Sequence, residues 1–206
     1  VLFSSGEVEK QVRLTNYMQG LSEIPLLVTF DGEWGLAMRL RDTPGFPFNR
    51  VLGCIENDSL LYEYGREVAR QCRAIGVHVN FAPVADVDNN PDNPVINSRS
   101  FGSSPQRVAG KVAAYVRGLE DGGVLAVCKH FPGHGDTEVD SHKALPELPF
   151  NRSRLDSVEL YPFRKAVEAG AGGVMTGHLH VPALGKKPAS ISYDIISVLK
   201  NELNFR

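Results

Sequence analysis

The stretch Lys129 to His142 (KHFPGHGDTEVDSH) holds three His, two Asp, one Glu and one Lys, a density of titratable groups that packing alone does not call for. Pro132, Gly133 and Gly135 exclude a continuous helix, so the stretch is expected to be a strand end followed by a loop. Asp140 and His142 stand two apart, close enough for the carboxylate to accept a hydrogen bond from one ring nitrogen while the other faces a substrate. A histidine held in that way is suited to proton transfer near neutral pH. Lys129 and His130 form a second candidate pair at the strand end, where a buried cation needs a carboxylate or a lattice of sugar hydroxyls as partner. His134, between two glycines, has a plainer reading as a residue that satisfies loop carbonyls, and Asp136-Thr137 reads as a turn or cap signal.

These groups need elements to position them. Short apolar runs at Val1 to Phe3, Ile24 to Phe30, Val77 to Val84, Val124 to Cys128 and Gly173 to Thr176 are strand-like. Helical spacing occupies Glu7 to Gln19, Leu60 to Ile75, Pro105 to Asp121 and Leu155 to Ala169, and Ser192 opens a last apolar-periodic run through Leu203. Strand followed by helix, repeated, predicts a parallel sheet covered by helices, either a doubly wound sheet or a (β/α)8 barrel. Polar residues decide between them. Asp31 and Glu33 follow the second run, Asp86 the third, Lys129 and His130 the fourth, His178 and His180 the fifth. Many strand ends converging on one site is the pattern of a barrel, and no glycine-rich dinucleotide fingerprint follows the first run.

The expectation is therefore an α/β fold of the TIM-type barrel class, one catalytic domain over residues 1–206. A full barrel takes about 250 residues; five or six strand-helix units can be counted here, so the barrel is expected to be incomplete at both ends. With 42% hydrophobic and 22% charged residues and a net charge of -2, the chain reads as an ordinary globular domain. Its Lys and Arg residues are scattered among acids, so no nucleic acid is expected as a partner. No apolar run reaches the roughly 18 residues of a membrane span. Cys54, Cys72 and Cys128 are odd in number and unevenly spaced, which fits buried free thiols rather than disulfides or a zinc knuckle.

The segments KHFPGHG and DSH, together with Asp31-Gly32-Glu33-Trp34-Gly35 to Arg39 and Ser98-Arg99-Ser100-Phe101-Gly102, resemble the bacterial family 3 β-N-acetylglucosaminidases that act on cell-wall fragments. The Asp-Ser-His loop discriminates, since family 3 β-glucosidases share a related Lys-His strand without it. The resemblance implies a retaining hydrolase of terminal N-acetylglucosamine with no cofactor and no metal. It implies that Asp31, Arg39, Arg99, Lys129 and His130 bind sugar hydroxyls, that His142 is the general acid/base and that Asp140 orients it. The nucleophilic Asp of the family is then expected on a strand beyond Arg206. Leu36 stands where the family usually has Arg, while Arg39 keeps its place. The resemblance further implies a carbohydrate substrate, a monomer and a cytoplasmic location, with a periplasmic or exported one as the alternative.

Side-chain chemistry agrees, since Asp and Arg give directional, often bidentate hydrogen bonds suited to vicinal diols. Trp34 is either a stacking face for sugar or a core residue. His178 is expected to line the pocket and His180 to be structural. Three rivals stand beside this reading. A phosphorylase or β-glucosidase variant of the family uses the same groups, since a neutral His base also admits phosphate. A metal-dependent barrel hydrolase would draw on His178, His180, His130, His134 and Asp136. The last is a barrel that only binds sugar.

Overall fold

The computed structural model describes residues 5–140 and 143–206. The strand expected at Val1 to Phe3 and the acid/base candidate His142 lie outside those residues.

The chain alternates short strands and helices. Strand β1 (Gly6–Glu7) leads into α1 (Val8–Leu21), then β2 (Thr29–Phe30), β3 (Leu40–Arg41), α2 (Asn49–Leu52), α3 (Asp58–Ala74) and β4 (Val79–Asn80). The second half runs α4 (Pro105–Asp121), β5 (Leu125–Phe131), α5 (Arg152–Ser157), α6 (Leu160–Glu168), β6 (Gly173–Thr176) and α7 (Tyr193–Ser197). Strands β2, β4, β5 and β6 form one all-parallel sheet in chain order, while β1 and β3 pair in parallel apart from it. An order that advances without reversing has no switch point, which removes the doubly wound alternative. The α/β class and parallel pairing are as expected; closure of the sheet on itself is not seen among the described residues.

Local chemistry explains most boundaries. Asn57 caps α3 by accepting from Ser59 N, and Ser104 caps α4 by accepting from Arg107 N, with Pro105 in the first turn. Gly76 and Gly123, at φ +78° and +79°, turn the chain out of α3 and α4 into the next strands. The Ile24 to Phe30 run pairs only over Thr29–Phe30, because Pro25 precedes it and Ile24 and Leu27 are exposed. Pro83 shortens the third run in the same way, since it has no N–H to donate to a ladder. The single helix expected from Leu155 to Ala169 is two helices. Pro162 cannot donate to the Val158 carbonyl and would clash with it, so the chain breaks at Val158 and restarts at Leu160. The final run is a short α-helix followed by a π-turn, Val198–Glu202.

Strand β5 is buried along nearly its whole length, as befits a parallel strand covered on both faces. Its pairing with β6 shifts between Lys129 and Phe131: Lys129 pairs with Met175 and Phe131 with Thr176, and His130 is extra. Neighbours on a regular strand point to opposite faces, and a bulge relaxes that rule. Cys72 and Cys128 are buried free thiols, but Cys54 is exposed, because it follows α2 at a surface turn, where its thiol donates to the Arg50 carbonyl.

Outside the sheet, α3 packs against α4 and α4 against α6. Two helical glycines make the α3–α4 approach possible. A Cβ on Gly118 would lie 2.8 Å from Gly65 Cα and 2.9 Å from Arg66 N, both in the facing helix. Gly20 in α1, by contrast, has open space around it. Gly118→Ala is therefore expected to lower stability by about 1–3 kcal/mol through overpacking, whereas Gly20→Ala raises it by roughly 0.5–1 kcal/mol. Urea unfolding of the two variants checks the sign of each.

Candidate active site

The C-terminal ends of β2, β4 and β5 deliver a compact set of charges. After β2 the chain turns at Gly32, whose N–H and C=O are both taken by the side chain of Asn80 at 3.0 and 3.1 Å. Asn80 is fully buried in β4, so the neighbouring strand sets the turn that presents Asp31 and Glu33. The Glu33 carbonyl accepts from the hydroxyls of Tyr64 and Tyr115, each at 3.3 Å.

Lys129, 3% exposed, bridges the two carboxylates, with its Nζ 2.5 Å from Asp31 Oδ1 and 2.8 Å from Glu33 Oε1. Asp31 is held on its other oxygen by Arg39 Nη2 at 2.5 Å, and Arg39 Nε also donates to the Asp31 carbonyl. Glu33 has no exposed side chain and takes a fork from Arg99, with Nε at 3.0 Å and Nη2 at 2.7 Å. Arg99 ends a 3-10 turn, Asn97–Arg99, fastened by Asn49 donating to the Arg99 carbonyl at 2.7 Å.

A third carboxylate, Asp86, is buried and accepts from His130 Nδ1 at 2.7 Å, from His130 N at 3.2 Å and from His134 N at 2.7 Å. Asp86 thus fixes the His130 ring and leaves Nε2, 3.4 Å from Arg99 Nη2, toward the cleft.

Burial on its own would raise all three carboxyls. Lys129 and Arg39 nevertheless hold Asp31 below the usual carboxylate range, Arg99 and Lys129 do so for Glu33, and His130 and His134 for Asp86. The site therefore presents Asp31 and Glu33 as ionised acids that share Lys129 and hold Arg39 and Arg99 respectively, with Asp86 held instead by His130 and the His134 N–H. His134 is pushed below the ordinary imidazole range by burial, against the pull of Asp86, and is neutral near pH 7.

Asp31, Arg99, Lys129, His130, His134 and His178 line one cleft of about 330 Å³, with Phe81, Val95 and Met175 as its apolar wall. The bulge in β5 lets consecutive residues, Lys129 and His130, both reach it. His178 donates to or accepts from Ser190 Oγ at 2.7 Å. His180 turns away to Glu147 at 3.1 Å, so the two histidines do not converge. Asp136 is paired with Arg154, and among the described residues no three His, Cys, Asp or Glu side chains gather as a metal site would require.

Residues 5–206 match the glycosyl hydrolase family 3 N-terminal domain. The chain belongs to glycosyl hydrolase family 3. It is 40% identical over 193 residues to the β-hexosaminidase LpqI of Mycobacterium tuberculosis, which spans 91% of this chain and 49% of LpqI. A family 3 β-N-acetylglucosaminidase structure from Paenibacillus sp. str. FPU-7 superposes with a TM-score of 0.93 at 39% identity, covering 99% of this chain and 41% of that one. NagZ from Neisseria gonorrhoeae, in complex with N-trifluoroacetyl-D-glucosamine, superposes with a TM-score of 0.89 at 31% identity, covering 99% of this chain and 63% of that one. This chain thus spans about half the length of the LpqI relative.

Within this family 3 chain the structure gathers Asp31, Arg99, Lys129, His130 and His178 at the cleft, as the sequence leads one to expect. Arg39 differs: it is not part of the lining, and it reaches the site only by holding Asp31. Asp140 lies on the loop that leaves β5, beyond Thr137, and His142 falls outside the described residues. Trp34 is half-buried and packs edge-on against Phe48 at 4.8 Å, away from the cleft. Leu36 is buried in the core. Glu33 and Asp86 are the residues that motif reading leaves without a role; their signal was acidity at strand ends.

The charge balance has a measurable consequence. Depressed carboxyl pKa values stabilise the fold above about pH 4, and that stability is lost as pH falls through the folded values. Lys129→Met leaves Asp31 and Glu33 each with one cation fewer. It is expected to cost about 3–5 kcal/mol at pH 7, and the deficit relative to wild type shrinks as pH falls, because the variant's two carboxyls, no longer held down by Lys129, take up protons before those of the wild type. Urea unfolding at pH 7 and pH 3.5 tests this; a deficit independent of pH would mean lost packing instead.

Proposed function

We propose that this chain carries the sugar-binding and acid/base groups of a retaining β-N-acetylglucosaminidase, built as part of a (β/α)8 barrel. Its substrates in this reading are glycans that end in N-acetylglucosamine, with peptidoglycan-derived fragments as the natural class. The observation that carries the reading is the convergence of Asp31, Arg99, Lys129 and His130 from three strand ends on one cleft, with the loop that leads to Asp140 leaving the end of β5. The names of the relatives, β-hexosaminidase and β-N-acetylglucosaminidase, support the sugar class.

The pre-formed ion pairs suit such a site. Because Asp31 and Lys129 already neutralise one another, each can bond a hydroxyl without an uncompensated charge being created when water leaves. His142 donates a proton to the glycosidic oxygen as the C–O bond breaks, while a carboxylate outside residues 1–206 bonds to the anomeric carbon. Asp140 accepts from the His142 ring and stabilises its charged form. In the second half, neutral His142 takes a proton from water, whose oxygen bonds to the anomeric carbon and releases the carboxylate.

In the full-length protein, p-nitrophenyl N-acetyl-β-glucosaminide is expected to be cleaved in preference to the β-glucoside, unaffected by chelator. His142→Ala is expected to reduce kcat roughly 10²- to 10⁴-fold, and Arg99→Met to reduce kcat/KM about 10- to 100-fold through a lost charged hydrogen bond. Preference for the glucoside, or abolition by chelator, would sink the reading. Adding phosphate separates the hydrolase from a phosphorylase: accumulation of a sugar 1-phosphate identifies the latter.

A further inference from the structure

The loop that leads to Asp140 has a buried root and an exposed continuation: residues 131–135 and Thr137 are buried, and Glu138 and Val139 are exposed. The root is fastened residue by residue. His134 N donates to Asp86, Asn93 Nδ2 donates to the His134 carbonyl at 2.8 Å, and Gly135 lies so close to the Val87 backbone that no Cβ fits. Gly133, at φ +133°, packs on the Glu159 side chain, where a Cβ would come within 2.8 Å.

Asp136 is the last acid in this root. Its Oδ2 accepts from Arg154 Nη2 at 2.7 Å, and the same nitrogen reaches Glu159 Oε1 at 3.1 Å. Arg154 comes from α5 and Glu159 from the break before α6, so one guanidinium ties the loop root to the helix break made by Pro162. The guanidinium carbon lies 4.4 Å from the centre of the Phe150 ring, which holds its plane. None of Asp136, Arg154 and Glu159 lines the cleft.

Two carboxylates compete for this cation. Glu159 is 3% exposed, and its Oε2 has no partner among the described residues. Burial pushes its carboxyl up to about 7, with Asp136 adding to the rise against the pull of Arg154. When Glu159 holds a proton, the charge of Arg154 is left to Asp136.

We propose that Arg154 is a positioning residue for the acid/base loop: through Asp136 it fixes where the loop root ends and therefore where the loop through Asp140 sets out, with Glu159 as its buried seat. The proposal rests on the reading of His142 as the acid/base. It predicts a defect confined to proton transfer, which a purely structural ion pair would not give.

The test uses Asp136→Asn and Arg154→Lys in the full-length protein, with kcat/KM measured on aryl N-acetyl-β-glucosaminides from phenyl to 2,4-dinitrophenyl and thermal melts alongside. Asp136→Asn keeps the shape and an acceptor oxygen but loses the charge. Its kcat/KM is expected to fall roughly 10- to 100-fold on the phenyl glycoside and less than about threefold on the dinitrophenyl one, whose departure needs no proton. Arg154→Lys keeps the charge without the planar guanidinium held over Phe150 and is expected to fall between Asp136→Asn and wild type. An equal loss on every leaving group, or a lowered melting temperature with unchanged kcat/KM, overturns the proposal. Wild type inactive on all these glycosides overturns the functional reading beneath it.

Discussion

A buried cation between a buried and a half-buried acid organises this structure. At 3% exposure Lys129 requires the carboxylates of Asp31 and Glu33 as counter-charges, and fully buried Glu33 in turn requires Lys129 and Arg99. That mutual requirement ties the end of β5 to the turn after β2, although the two strands are not neighbours in the sheet. Arg99 extends the tie to the segment after β4 through Glu33, and Asp86 extends it through His130. Much of the second layer serves the same end: Asn80 sets the Gly32 turn, Tyr64 and Tyr115 hold the Glu33 carbonyl, and Ser100 donates to the Asp86 carbonyl at 2.6 Å.

How far this was legible from sequence depended on whether a feature is local. Helix α4 lies where its Ser-Pro start and Gly-Gly end place it, and β6 coincides with its apolar run, because the determinants sit within a few residues. The loop after β5 was legible for the same reason, through Pro132, Gly133 and Gly135. Apolar run length overestimated the strands at Ile24 to Phe30 and Val77 to Val84, since apolarity reports burial and not pairing, and prolines within the runs remove the donors. The break at Val158 was missed because helical spacing continues smoothly across it, and only the Pro162 ring and its missing N–H forbid the turn.

In the site, the residues that reach the cleft were legible, and those that hold them were less so. Lys129, His130 and Arg99 stand in recognisable segments, whereas Glu33 and Asp86 matter through partners 66 and 44 positions away. Arg39 shows the converse: a recognisable position whose described contacts are with Asp31 rather than with the cleft. Sequence spacing identifies a charged residue; only the fold identifies its counter-charge.

The bulge at His130 has an implication for how such a strand can vary. Because one supernumerary residue lets neighbours address the same cleft, deleting His130 would restore regular alternation at the cost of one of the two polar side chains that reach it. Length change in β5 is therefore barred by geometry. The exposed Glu138 and Val139 carry no such packing restriction, so the constraint on length there comes only from the Asp140 that follows them.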